Sequence, residues 1–156
     1  MISIKITSDA EKVLGNLNNF SKDIGVVSVP LIDSGKYMKR QAIMNFGVKG
    51  ALMQMGGWDD LKESTKARKM KEVGFVYPMM VRTRNLISSF EVGSPIIKEK
   101  GGEIEVFNPV KYATEHQAGF GKLPQRILLR FQKQQVQDVT NIFTSWVEKI
   151  INKNFK

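Results

Sequence analysis

Residues 132–152 read QKQQVQDVTNIFTSWVEKIIN. Val136, Val139, Phe143, Trp146, Val147 and Ile150 recur there largely at steps of three or four, the spacing that gathers apolar side chains on one helix face. Upstream the period changes. Ile104 and Val106 alternate with Glu103 and Glu105, as on a half-buried strand, and Gly101-Gly102 is a strong hairpin turn because glycine takes positive φ freely. Glu91-Val92-Gly93 leading into Ile96-Ile97-Lys98 supplies the outgoing strand, and Asn108-Pro109 ends the returning one. A hairpin followed by a long amphipathic helix predicts an α+β fold, a small antiparallel sheet with helices packed on one side.

Working outward, Ile2, Ile4 and Ile6 alternate with polar residues and predict a strand. Ser8 and Glu11 form a capping box, so a helix should start there, with Ala10, Val13, Leu14 and Leu17 as its apolar stripe and Phe20 near its end. Pro30 fits the first turn of a second helix running to about Phe46 and burying some of Leu31, Tyr37, Met38, Ala42 and Phe46; Gly35 within it is a mild penalty. A short basic helix is expected over 61–73, and Thr83 can cap one turn containing Leu86, Ile87 and Phe90. Residues 112–117 predict a helical turn stopped by Gly119 and Gly121. After Pro124, Ile127-Leu128-Leu129 predicts a strand.

Between Gly47 and Gly57 the chain changes character. Gly47, Gly50, Gly56 and Gly57 bracket Met53 and Met55, which predicts a flexible loop longer than usual connections, of the kind that serves as a binding arm. Trp58 leaves this loop; core anchoring is the favoured reading for it and contact with a partner the other. No repeat, low-complexity tract or domain boundary is evident, so residues 1–156 read as one domain.

The chain contains no cysteine, which removes disulfides, thiolate metal sites and a cysteine nucleophile together and suits a reducing cytoplasm. The N-terminal alternation does not read as a signal peptide, and no run approaches the roughly 20 apolar residues of a membrane span. The expectation is a protein without membrane contact. Charge is the unusual feature: 24 Lys+Arg against 15 Asp+Glu leave +9, which favours polyanionic partners. Lys62, Lys66, Arg68, Lys69 and Lys71 form the densest group, interrupted by Glu63, and Lys122, Arg126, Arg130 and Lys133 form another. No basic–aromatic alternation of the single-strand-binding kind accompanies them, so a solvated basic surface is the plainer reading.

Catalytic motifs are weak. His116 is the only histidine, Glu115 beside it points elsewhere on any regular element, and no serine sits in a G-x-S-x-G elbow. The glycines match neither a phosphate-binding loop nor a dinucleotide fingerprint, and Asp59-Asp60 and Glu103/Glu105 lack a partner base. The expectation is no enzyme, no metal and no cofactor.

Three segments carry a resemblance. Gly57-Trp58-Asp59-Asp60-Leu61-Lys62-Glu63-Ser64-Thr65 fits W-x-x-L-x-x-x-T, and Met80 to Ser89 follows L-x-x-T-G-x-L-x-x-S. Tyr112-Ala113-Thr114-Glu115-His116-Gln117-Ala118-Gly119 fits Y-A-x-x-H-Q-x-G, after which Leu123-Pro124-Gln125-Arg126 opens l-P-x-R-x-x-L. In order and spacing this resembles the phage virion morphogenesis (tail completion) family over residues 57–130. Arg84 stands where that family usually has glycine, and Ile127 where an aromatic is common.

The resemblance implies a structural role at the head–tail junction of a tailed bacteriophage: a homo-oligomeric ring, with six copies expected from the symmetry of phage tails. Its neighbours would be head-completion or connector proteins and tail-tube or terminator proteins, with DNA passing through. It would reside in the virion neck, and in the host cytoplasm during assembly. Candidate assembly residues are Met53, Met55, Trp58, Arg82, Arg84, His116, Arg126 and Arg130. Tyr112 and His116 are expected to tie neighbouring loops by side-chain hydrogen bonds, and Arg126 to present a fork-shaped donor to an acidic neighbour. The alternatives are a tail-terminator or head-closure protein of the same neck, a small basic DNA-binding module, and, from another class, a hydrolase centred on His116 and Glu115.

Overall fold

The structure, a computed structural model, describes residues 18–19, 22–23, 26–98, 101–121 and 123–155. The strand expected at 2–6 lies outside these, as does the helix expected from Ser8, save for residues 18 and 19, which are helical. Five further helices follow: α1 Ser28–Gly47, α2 Glu63–Val73, α3 Asn85–Ser88, α4 Lys111–Ala118 and α5 Lys133–Asn154. Four short strands lie between α3 and α4: β1 Glu91–Val92, β2 Ile96–Lys98, β3 Gly101–Glu103 and β4 Val106–Phe107. The fold is α+β, as expected, with a long C-terminal helix. Among the described residues no helix is long and apolar enough to cross a membrane.

The sheet is one hairpin whose ladder breaks in the middle. β1 pairs antiparallel with β4, Val92 opposite Val106, and β2 with β3, Ile97 opposite Gly102. Between the two pairs the Gly93 N–H donates to the Glu105 carbonyl at 2.9 Å. Gly101 and Gly102 therefore lie within β3 and are not the turn. Packing explains Gly102: a Cβ there would stand 2.7 Å from Leu31 Cδ1 on α1. Gly35 has the same purpose from the helix side, since its Cβ would stand 2.6 Å from Val92 Cγ1. What composition marks as a helix penalty is thus the contact that lets α1 lie close on the hairpin.

α1 is the central element. Leu31, Met38, Ala42 and Phe46 bury one stripe of it, at steps of seven, four and four residues, while Tyr37 on its flank donates its hydroxyl to Asp138 on α5. Phe46 meets Trp58 and Phe90 edge-to-face, with ring centroids 5.4 and 6.1 Å apart. Met53, Met79, Leu86 and Leu128 complete this cluster. α5 starts on a capping box between Gln132 and Gln135 and packs along α1. Its apolar stripe is only partly covered. Ile150 is buried, but Phe143 and Trp146 are half-buried and Val136 is 52% exposed, because among the described elements α1 is its main neighbour.

Residues 48–57 of the Gly/Met loop wind back through successive turns against the end of α1. Leu52 N–H donates to Asn45 Oδ1, Met53 is fully buried, and Met55, 93% exposed, projects. Gly50 makes this possible: at φ +84° it lies so close to Trp58 that a Cβ would fall on the indole ring. Thr83 does not cap α3. The N-cap is Arg84, at φ +62° and without a side-chain bond. Lastly, Ile127-Leu128-Leu129 is not a strand, since no neighbouring strand pairs with it.

Candidate functional site

Residues 126–129 run through the core without a ladder, so their backbone groups need other partners. Side chains supply them. Ile127 N–H donates to Gln54 Oε1 at 3.0 Å, and its carbonyl accepts from Asn45 Nδ2 at 3.0 Å and from the Trp58 indole N–H at 3.2 Å. Gln117 Oε1 accepts from the N–H groups of Leu128 and Leu129 at 2.7 and 3.1 Å, while its Nε2 donates to the Leu129 carbonyl at 2.9 Å. One glutamine thus imitates a paired strand. Arg126 N–H completes the set by donating to the His116 carbonyl at 2.8 Å. Trp58, Gln117 and the segment after Pro124, far apart in sequence, form one unit.

Behind this unit lies an open cleft of about 790 Å³ between the start of α2, the 59–62 segment, the end of α4 and the 121–126 loop. Arg126 forms part of it and is only 6% exposed. Its Nε and the Nδ1 of His116 are buried with no hydrogen-bond partner. Burial pushes the Arg126 guanidinium down from its ordinary value, and the charge of Asp59 opposes that. Burial likewise lowers the His116 imidazole, the positive charge of Arg126 lowers it further, and Glu115 acts the other way. A guanidinium and a neutral imidazole share the cleft, with Asp59 the acid that acts on the arginine.

The rest of the basic surface is less free than the sequence suggests. Lys66 bridges Asp60 at 3.0 Å and Glu63 at 2.7 Å, which holds its ammonium well above the ordinary lysine range. Asp60, bonded also by the Tyr77 hydroxyl at 2.7 Å, stays well below the usual carboxylate range. Lys69 is buried and donates to the carbonyls of Val76 and Pro78, both at 2.6 Å. Burial lowers its ammonium. Lys62, Arg68 and Lys71 remain exposed.

The candidate residues therefore separate. Arg126 and His116 share the cleft, and Arg82 lines it while pairing with Glu72 at 3.0 Å. Arg130 is exposed beside a different, apolar groove between α1 and α5. Trp58 is a core anchor, 5% exposed, and Met53 belongs to the core. Met55 and Arg84 are exposed and apart from the cleft. His116 ties its loop through its backbone carbonyl rather than its ring; the Tyr112 ring stands edge-on to it at 6.3 Å.

No family model, curated protein or solved structure matches this chain.

Asn45, Gln54 and Gln117 were not singled out by sequence reasoning. Gln117 at least stood inside a quoted motif. Asn45 and Gln54 carried no local signal, because a polar residue on an apolar stripe or in a glycine-rich loop reads as solvated until its partner is known.

Proposed function

We propose that this chain is a non-enzymatic structural subunit of a tailed-phage neck, of the tail-completion kind, acting as one copy in a ring at the head–tail junction. The observation that supports this reading best is the convergence described above. Two of the three segments whose order prompted the resemblance meet there: the first supplies an indole anchor, and the third supplies both a glutamine that imitates a strand and the backbone they hold. The pattern thus has a structural use that needs no turnover. Partly covered apolar side chains, such as Phe120 at 75% exposure and Phe131 at 58%, suit a subunit completed by neighbours. Placement in the chain's own phage decides the matter: gold-labelled antibody on purified particles should mark the neck, and mass measurement of the concentrated protein should give a closed oligomer. Label confined to the head shell or the distal tail would reject it. The DNA-binding alternative draws on the net charge alone, and Lys66, Lys69, Arg82 and Arg126 are engaged or buried rather than arrayed for phosphates.

A further inference from the structure

We propose that Arg126 and His116 form the floor of an oxyanion socket that takes a carboxylate side chain from an acidic segment of a partner protein. A buried guanidinium without a bonded counter-charge is costly, and an unsatisfied buried group calls for an explanation, which a ligand that completes it would supply. Arg126 is 6% exposed, its Nε has no partner, and it faces an open cleft rather than a closed core. His116 Nδ1, also buried and unpartnered, supplies a second polar atom in the same cleft. A planar guanidinium matches a carboxylate with two parallel N–H donors, a geometry that an ammonium cannot offer.

The walls favour a protein over DNA. Asp59 and Asp60 interrupt the cations Lys62, Arg68 and Arg82 in the lining, so a continuous run of phosphates would meet repulsion as well as attraction, whereas a single carboxylate reaching past them meets Arg126. Met80, Leu123 and Pro124 give the same cleft apolar surface, and Phe120, 75% exposed, stands in the turn that leads into it. Apolar side chains in a mixed rim around a buried cation, with an exposed aromatic beside them, suit protein recognition. Naming the partner as a neighbouring neck subunit rests on the proposed function. The socket itself does not.

The test uses the full chain and the Nε–H resonances of its six arginines. Four probes are titrated at constant ionic strength: the acetylated, amidated tetrapeptide Gly-Glu-Glu-Gly, its Gly-Gln-Gln-Gly counterpart, inorganic phosphate and a short DNA duplex. The glutamate peptide should shift the Arg126 Nε–H and the His116 ring saturably, and the glutamine peptide should not. Arg126→Gln should weaken the glutamate peptide by about tenfold or more, and Arg126→Lys should restore only part of that. The wild-type titration stands alone if either variant folds poorly. An unmoved Arg126 signal, equal shifts with both peptides, or shifts with phosphate or DNA alone would each overturn the socket. Because free protein is used, any of these can occur while labelling at the neck stands.

Discussion

Gln117 and Leu128 are joined by a 2.7 Å bond from the Leu128 N–H to the glutamine Oε1, and the same side chain also holds both backbone groups of Leu129. Removing it strands two donors and an acceptor in a partly buried place. Gln117→Leu should therefore cost about 2–4 kcal/mol. For a domain of this size that lowers the melting temperature by roughly 5–12 °C, which a thermal melt would register. A change within one degree would show that water replaces the amide without loss.

Gly50→Ala should be among the most damaging single changes. It sets a Cβ on the Trp58 ring and requires φ +84° of an L-residue. Strain of about 1–3 kcal/mol from the backbone adds to the cost of moving a buried tryptophan that also bonds Ile127. Urea unfolding should show a lower midpoint with an unchanged slope. Gly56→Ala, at a comparable φ of +77° but with nothing within 4 Å, isolates the backbone part.

Arg126 and Arg130 should respond differently to substitution. Arg130 is exposed, so Arg130→Glu should alter stability by no more than about 0.5 kcal/mol. Arg126→Met keeps the stem and removes a buried charge whose Nε has no partner, and should raise stability by about 1–2 kcal/mol. A destabilised Arg126→Met would mean that the guanidinium is satisfied in the free protein.

His116 predicts a pH dependence with a definite sign. Its folded value lies below the ordinary 6.5, owing to burial first and Arg126 second. The unfolded chain then binds the proton more readily. This contribution to stability is complete above about pH 6.5 and is lost as pH falls through the lowered folded value. The difference in melting temperature between the wild type and His116→Gln should accordingly shift against the wild type between pH 7.5 and 5.5. Parallel curves would place the imidazole in water.

Periodicity made the long elements legible. Leu31, Met38, Ala42 and Phe46 are buried as their spacing predicts, and α5 runs over 133–154 where 132–152 was expected. Its depth of burial was not legible, because a stripe shows which way a helix faces and not what covers it. Ile127-Leu128-Leu129 misled for a related reason: an apolar run signals burial, and a strand additionally needs a neighbour with free backbone groups. Arg84 is instructive in the other direction. It adopts φ +62°, a left-handed conformation that favours glycine and that nothing in an arginine announces. Of the candidate site, Arg126 and His116 were each legible as candidates from motif order, whereas their shared cleft and the burial that separates Arg126 from Arg130 required the fold.

A strand held by a ladder can slip two places and find equivalent bonds, and at a sheet edge it can recruit a foreign chain. The 126–129 segment has neither freedom. Asn45, Gln54 and Trp58 all address Ile127, and Gln117 addresses Leu128 and Leu129, so a slipped alignment meets donors and acceptors at the wrong addresses. An apolar run that would be an aggregation hazard on an exposed edge is thereby locked to a single alignment, with few backbone groups left over for any other chain to copy.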